Sequence, residues 1–274
     1  MRQRESVEVW YEFWDRRKED YLRENFRPWN RLVWEVGLEY WTKRAGLAKG
    51  KRTLECGCGS AEVSRHLAKN GYDATMLDIS RDGLKIAEMK FAQYGLKGTF
   101  VMGNVKKIGF ADNSFDIVMS FGILEHFEDV RPVIKEMVRV LKPGGVFLAD
   151  IIPRKFSCQD LANIEIFIAL FLKRLFTFCF KNIIKESCPS TTFYENCIPK
   201  KEYKKIMEES GLCRVKITGT RPFPPLALPR CIEKVYVWIL RRLRPFWDWF
   251  DECESGFTDF WGLGWYSFGV KKDE

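Results

Sequence analysis

The sequence predicts an α/β fold: a doubly wound, mostly parallel sheet with helices on both faces. Between about residues 49 and 153, short apolar strands alternate with amphipathic helices, the pattern of βαβ units joined by right-handed crossovers. The residues just after the candidate strands, Glu55–Ala61, Asp78, Gly103-Asn104 and Ser120–His126, include glycines, acids and small polar groups. That is where open α/β sheets place their ligands. A chain of 274 residues with 46% hydrophobic and 30% charged residues suits one elaborated domain better than two independent ones.

Each element follows from local chemistry. From Val7 to about Leu47, Val9, Trp10, Phe13 and Trp14, then Trp29, Leu32, Val36 and Tyr40, recur at helical spacing, and Pro28 divides the stretch into two helices. The period then changes. Thr53–Cys56 is a strand, Ala61–Lys69 a helix ended by Asn70-Gly71, and Asp73–Asp78 a second strand. Ser80 caps a helix reaching about Tyr94 and closed by Gly95. Gly98–Met102 and Phe115–Ser120 are the next strands. A helix over Val130–Leu141 stops at Pro143-Gly144-Gly145, and the very apolar Val146–Ile152 reads as a buried fifth strand. Tyr203–Glu209 is a helix, and Cys213–Thr218 and Gly264–Val270 complete seven strands.

The expected organisation is a helical cap over residues 1–48, a core over 49–153, a helical lid or insertion over 154–200, and completion of the core over 201–274. That last part carries an aromatic, basic insertion at about 222–260.

Composition narrows the setting. A formal charge of +8 admits nucleic acid, an anionic membrane surface or an acidic substrate, and selects none of them. The basic residues are mixed with acids and form no dense stripe, which makes nucleic acid an unfavoured partner. Nine cysteines and two histidines, His66 and His126, give neither a disulfide framework nor a zinc pattern. No metal site is expected. The first residues carry mixed charges with no apolar run, so the expected setting is cytoplasmic.

The first loop, Gly57-Cys58-Gly59-Ser60-Ala61, can turn sharply and bring backbone N–H groups close to a ligand. A dinucleotide fingerprint would need glycine at position 62, where Glu62 would repel a pyrophosphate. Asp78, ending the second strand, is placed to accept both hydroxyls of a ribose. The alternative is that it caps the following helix, a role Ser80 can also fill. Cys56 and Cys58 read as small packing residues rather than nucleophiles, and His66 as structural.

At these residues a resemblance is plain. Leu54-Glu55-Cys56-Gly57-Cys58-Gly59-Ser60-Ala61 resembles motif I of the class I S-adenosylmethionine (SAM)-dependent methyltransferases, and Asp78 matches their acid after motif I. Phe115–Ser120, Leu124-Glu125-His126-Phe127 and Leu141-Lys142-Pro143-Gly144-Gly145 resemble their later motifs in order, and the chain is most similar to the small-molecule ubiquinone/menaquinone group. The resemblance implies a Rossmann-like seven-stranded sheet and SAM as cofactor. It implies that Gly57, Cys58 and Gly59 face the methionine part, and that Glu55 orients the loop and the amino group. Asp78 would hold the ribose, with Ile79 against the adenine. Asn104 stands where many relatives carry an aspartate for the adenine amino group, Val105 offers its N–H to the ring, and Ser120 and Phe121 lie beside the sulfonium. Ala61 departs from the glycine usual there.

The acceptor side is less marked. Tyr11 and Trp14 either present rings to the sulfonium or pack in the core. His126 is the best candidate general base and Glu125 the alternative, or else His126 packs after the fourth strand. The stretch Leu161–Ile184 and the block Val235–Trp249 are aromatic and basic, fitting a lid over the acceptor pocket, an interfacial surface on anionic lipid, or both. The implied activity is methyl transfer to a small, hydrophobic or amphiphilic acceptor. The alternatives are a lipid-modifying enzyme of the cyclopropane-synthase type and a catalytically silent SAM-binding or membrane scaffold.

Overall fold

The computed structural model describes residues 7–24, 26–46, 50–177 and 193–273. Two helices come first, α1 (Val7–Leu22) and α2 (Pro28–Ala45), with Pro28 in the first turn of α2, the one place in a helix where its missing N–H costs nothing. The alternating core follows as β1 (Arg52–Cys56), α3 (Glu62–Lys69), β2 (Asp73–Asp78), α4 (Arg81–Gln93), β3 (Thr99–Met102), β4 (Phe115–Phe121), α5 (Arg131–Val140) and β5 (Leu141–Ile151). Then come α6 (Cys158–Thr177), α7 (Lys200–Glu209), β6 (Leu212–Thr220), α8 (Arg230–Arg242), α9 (Arg244–Glu252), α10 (Gly256–Trp261) and β7 (Gly264–Lys271). Residues 178–184 of the predicted apolar stretch lie outside the described residues.

The strands form one seven-stranded sheet in the order β3-β2-β1-β4-β5-β7-β6. β1 to β5 pair in parallel, and β7 runs antiparallel between β5 and β6. The predicted doubly wound fold is the one that forms. Most strands differ from their expected limits by a residue or two; the largest departure is β5, which starts at Leu141 because Leu141 already pairs with Phe115 before the register shifts toward Ile117 and Val146. The Pro143-Gly144-Gly145 segment thus runs within an irregular strand.

Both faces are covered. Leu54, Phe115, Phe147, Met137 and Tyr203 belong to a core between the sheet, α5 and α7. On the opposite face Tyr40 and Trp41 of α2 join Val63, Leu67 and Tyr266, with Trp41 edge-on to Tyr266 at 4.3 Å between ring centroids. A satellite core holds α2 against α8 and α9 through Leu32, Val36, Leu240 and the fully buried Trp247. The polar N-terminal α1 lies on α4.

The strand order reverses between β1 and β4. A crevice therefore opens beyond their carboxyl ends.

Candidate functional site

The loop after β1 is built from left-handed residues. Gly57, Gly59 and Ala61 have φ of 68°, 48° and 54°, a region open to glycine and strained for alanine. Ala61 tolerates it as the N-cap of α3, a position where its side chain supplies no cap. Glu55 does instead: its Oε2 accepts the Ser64 N–H at 3.0 Å. The loop backbone is tied to β2, with Gly57 N–H donating to the Leu77 carbonyl at 2.7 Å.

Asp78 is buried at the end of β2. Its Oδ2 accepts the Gly59 N–H and its Oδ1 the Ser80 N–H, both at 2.7 Å. The cap of α4 is Ser80, whose Oγ accepts from Gly83. Asp78 is thus free of that duty, and each of its oxygens keeps a lone pair for a ligand hydroxyl. Burial raises its pKa, opposed by the backbone donors.

A cavity of about 550 Å³ opens at this edge of the sheet. Glu55, Gly57, Cys58, Gly59, Asp78, Ile79, Asn104, Val105 and Phe121 of the sequence-predicted set line it, together with Glu125 and His126. Ala61, Ser120 and Tyr11 do not. Ser120 is wholly buried behind the wall, and its Oγ has no partner among the described residues. Tyr11 is a third exposed, and its hydroxyl donates to the Ile79 carbonyl at 3.3 Å, so it braces the cavity rim from outside. Trp14 takes the inner place. A Cβ on Gly59 would stand 2.1 Å from its ring and one on Gly83 3.3 Å from its indole nitrogen, so only glycine at 59 lets α1 close so near the loop. Asn104 spends one carbonyl lone pair on the Lys106 N–H at 2.8 Å.

The lining is acid-rich. Glu55, Glu62, Asp78, Glu125 and Glu195 face Lys106, the one Lys or Arg on the wall among the described residues. Glu125 keeps its proton and Glu62 is paired with Lys90 and Arg65, so it is chiefly Asp78, beside the glycine loop, that would repel a pyrophosphate and attract a sulfonium or an α-amino group. This charge pattern, the glycine turns and the spare lone pairs of Asp78 fit SAM. Burial pushes Glu55 up to about 7. It also pushes the thiols of Cys56 and Cys58 up, so both stay protonated and neither is an activated nucleophile.

The far end differs in kind. Trp10 stacks on Phe193 at 4.3 Å, Phe13 meets Phe193 at 5.3 Å, and Trp10 lies edge-on to His126 at 5.0 Å. His126 Nδ1 lies 2.6 Å from the Tyr194 carbonyl. Burial lowers the His126 pKa more than its backbone partners raise it, so the ring is neutral near pH 7. Glu125 is pushed up to about 8 by burial, with the charges of Asp150 and Glu195 adding to the effect. Its Oε2 has no partner among the described residues. Buried Asn196 pins this turn, donating its side-chain amide to the carbonyls of Leu124 and Phe127, each at 3.0 Å, and its backbone N–H to that of Glu125 at 2.7 Å. Sequence reasoning did not single out Phe193, Tyr194, Glu195 or Asn196. They stand at the end of the long segment between β5 and α7, carry no motif, and reach the site only through tertiary packing. Trp10 showed only as part of a helical stripe.

Comparison with known proteins agrees with this geometry. Residues 54–149 match the family described as a methyltransferase domain. The ubiquinone biosynthesis O-methyltransferase of Photorhabdus laumondii is 32% identical over 132 residues, 47% of this chain and 55% of that protein. The one from Vibrio vulnificus is 25% identical over 200 residues, 72% of this chain and 78% of the relative. The chain thus spans about half of the former's length and over three quarters of the latter's. Among solved structures, a SAM-dependent methyltransferase of Thermotoga maritima, described as a possible histamine N-methyltransferase, covers 97% of this chain and all of its own, with TM-score 0.57 and 19% identity. Phosphoethanolamine N-methyltransferase 2 of Haemonchus contortus, solved with SAM, covers 88% of this chain and 53% of its own, with TM-score 0.58 and 17% identity. At such identity the structures share the fold.

Proposed function

We propose that this chain, which belongs to the class I SAM-dependent methyltransferases, moves the cofactor's methyl group to a small hydrophobic or amphiphilic acceptor at or near an anionic membrane surface. One observation carries the acceptor class. Part of the cavity wall is made of Trp10, Phe13, Phe127 and Phe193, with His126 against Trp10 and Phe193 and a protonated Glu125 also on the lining, and apolar walls with few polar groups select a ligand of the same make-up. The curated relatives are named as ubiquinone biosynthesis O-methyltransferases, which supports a small-molecule acceptor.

In this reading the backbone of Gly57, Cys58 and Gly59 receives the methionine part, with Glu55 fixing the loop through Ser64. Asp78 accepts the ribose hydroxyls. Ile79 and Val105 bracket the adenine, Val105 offers its N–H, and Asn104 uses its remaining lone pair on the amino group. Phe121 lies beside the sulfonium, backed by Ser120, and Ala61 sets the start of α3. Trp14 rather than Tyr11 provides the ring over the groove; a ring near a cation contributes about 0.5–2 kcal/mol.

When bound, the cofactor supplies a methyl group already activated by its sulfonium. The protein's task is then to align the acceptor and keep water out, which Trp10, Phe13 and Phe193 do by closing the far end. An acceptor that must shed a proton gives it to neutral His126. Protonated Glu125 donates a hydrogen bond to an acceptor oxygen rather than acting as a base at neutral pH.

The test is transfer of labelled methyl from SAM to a lipid and quinone-like extract, with nucleic acid as a control. Label should enter small extractable products and leave nucleic acid unlabelled. Cofactor binding by calorimetry with no label leaving it would make the chain a silent binding protein. Label recovered as ring methylene in alkyl chains would make it a cyclopropane-type enzyme.

A further inference from the structure

Most of the large apolar side chains that the described residues leave in solvent sit on the helices of the two insertions. On α6, Leu161, Ile164 and Ile168 are exposed at spacings of three and four, one side of a helix. On α8, Ile232, Val235 and Ile239 form a second exposed stripe, while Glu233, Val237 and Leu240 turn inward. The short α9 and α10 repeat this arrangement: Phe246 and Trp249 are exposed beside buried Trp247 and Phe250, and Phe257 and Phe260 flank buried Thr258. These helices have a second apolar side that the core does not use. The rings run together, since Phe156 stacks on Phe260 at 5.1 Å, Phe257 meets Phe250 at 6.0 Å, and Phe246 meets both Phe250 and Trp249. None of the exposed members lines the cavity.

Beside the α8 part of this face the exposed charges are basic, whereas on α9 the exposed Asp248 is paired with Arg244. On α8 the exposed charged residues are Arg230, Lys234, Arg241 and Arg242, of which Arg241 is paired with Glu35 of α2. The helix's one acid, Glu233, is buried and accepts from Arg27 at 3.0 Å. Arg242 lies over the Trp238 ring at 5.2 Å, and Trp238 is more than half exposed.

We propose that the solvent-facing apolar side of α6 and α8–α10 seats the protein on a bilayer containing anionic lipid. This rests on the reading that the acceptor is amphiphilic, and names the surface where such an acceptor is met. Apolar stripes flanked by Trp and by Arg or Lys lie in the headgroup boundary, with the cations among the lipid phosphates. Among the described residues no helix is long and apolar enough to cross a membrane, so the face rests on the bilayer. A second copy is a poor occupant, because a two-fold contact sets a face against itself and would bring the α8 cations together.

The experiment uses the full chain with vesicles of phosphatidylcholine, alone or mixed with phosphatidylglycerol. The protein should co-sediment with the mixed vesicles and leave them as salt rises. The triple variant Trp238→Ser, Trp249→Ser and Phe260→Ser should bind at least ~10-fold more weakly, with its circular dichroism unchanged. The charge pair Lys234→Glu and Arg242→Glu should lose at least ~10-fold on mixed vesicles alone, since each cation near such a surface is worth about 5-fold. No co-sedimentation, equal binding to both vesicle types, or a dimer that the triple variant dissolves would each overturn the proposal. Cofactor affinity and methyl transfer to a water-soluble acceptor are measured without vesicles. Their loss with vesicle binding intact would therefore sink the functional reading and not this one.

Discussion

The two ends of the cavity are built on different plans. The end proposed to hold the cofactor is made of backbone and short side chains: two glycines and an alanine with positive φ, a carboxylate holding the Gly59 and Ser80 N–H groups, and a glutamate capping α3. Those parts lie within about one βαβ unit of each other in sequence. The end proposed for the acceptor is made of rings from α1 and from the segment just before α7, brought together across 68 positions between His126 and Tyr194. A sheet edge can present only one arrangement of backbone donors, so the first end is constrained to a narrow set of residues. A wall of rings can be filled in many ways, and the second end is free to vary with the acceptor.

If that contrast is right, disturbing the first end should cost binding of the cofactor and little else. The largest effect should come from Gly59→Val. A branched side chain at φ 48°, with its Cβ 2.1 Å from the Trp14 ring, must displace both the loop and α1. Calorimetry should show SAM affinity reduced by roughly 100-fold or more, matching the ~3 kcal/mol that such strain and overpacking reach. Affinity within a few-fold of the parent would mean that the loop does not receive the cofactor. Asp78→Ala comes next. The loss of one desolvated charge-assisted acceptor is worth about 1.5–3 kcal/mol, or roughly 10- to 150-fold in cofactor affinity, with the fold kept by the remaining β2 ladder. Unchanged affinity would remove Asp78 from the ribose.

The same contrast explains what the sequence made legible. Glycine spacing, the acid after β2 and the strand-helix alternation are local signals; they located the fold, and nine of the twelve residues they marked for the cofactor line the cavity. Tyr11 and Trp14 could not be told apart, because helical spacing places both near the rim and only the packing of α1 on α4 decides which ring faces inward. Ala61 departs from the glycine usual at that position, and its φ of 54° shows why glycine is favoured there. Asn196 and Phe193 had no signal at all, since a hydrogen-bonding staple or a stacked ring across a long insertion leaves no period in the sequence.

At the acceptor end the first test is electrostatic. Glu125 keeps its proton in the fold up to about pH 8, against an ordinary value of 4.5. The folded state therefore binds the extra proton between those values, and the stability it carries is full below about pH 4.5 and falls as pH rises toward 8. Glu125→Gln removes that decline. Denaturant unfolding at pH 8 should find the variant more stable than the parent relative to pH 5, by a few kcal/mol at most, since each tenfold difference in proton affinity is worth about 1.4 kcal/mol. Parallel curves for the two proteins would mean that Glu125 is ionised throughout.

Trp10→Ala should separate the two ends kinetically. Removing a ring that stacks on Phe193 and borders His126 opens the far wall, so the acceptor's KM should rise about 5- to 10-fold. The upper part of the ~0.5–1.5 kcal/mol of an aromatic pair, which spans about 2- to 13-fold, gives that rise, with cofactor affinity moving less than two-fold. A matching loss of cofactor affinity would merge the two ends into one site and end the comparison.

His126→Ala is the most conditional change. The imidazole is neutral because burial outweighs its carbonyl partners, so it can take a proton only from an acceptor that has one to lose, and general bases of this kind contribute about 10²-fold or more when they act. With an acceptor that titrates, the variant should be slow at neutral pH and recover as pH rises, since hydroxide in solution then does the work. With an acceptor that does not, turnover should fall less than about 3-fold, and what remains is the packing of Trp10 and Phe193 around the vacated ring. A flat, equal loss at every pH would assign His126 to that packing alone, leaving the acceptor end with no proton-transfer group and only its shape to select what is methylated.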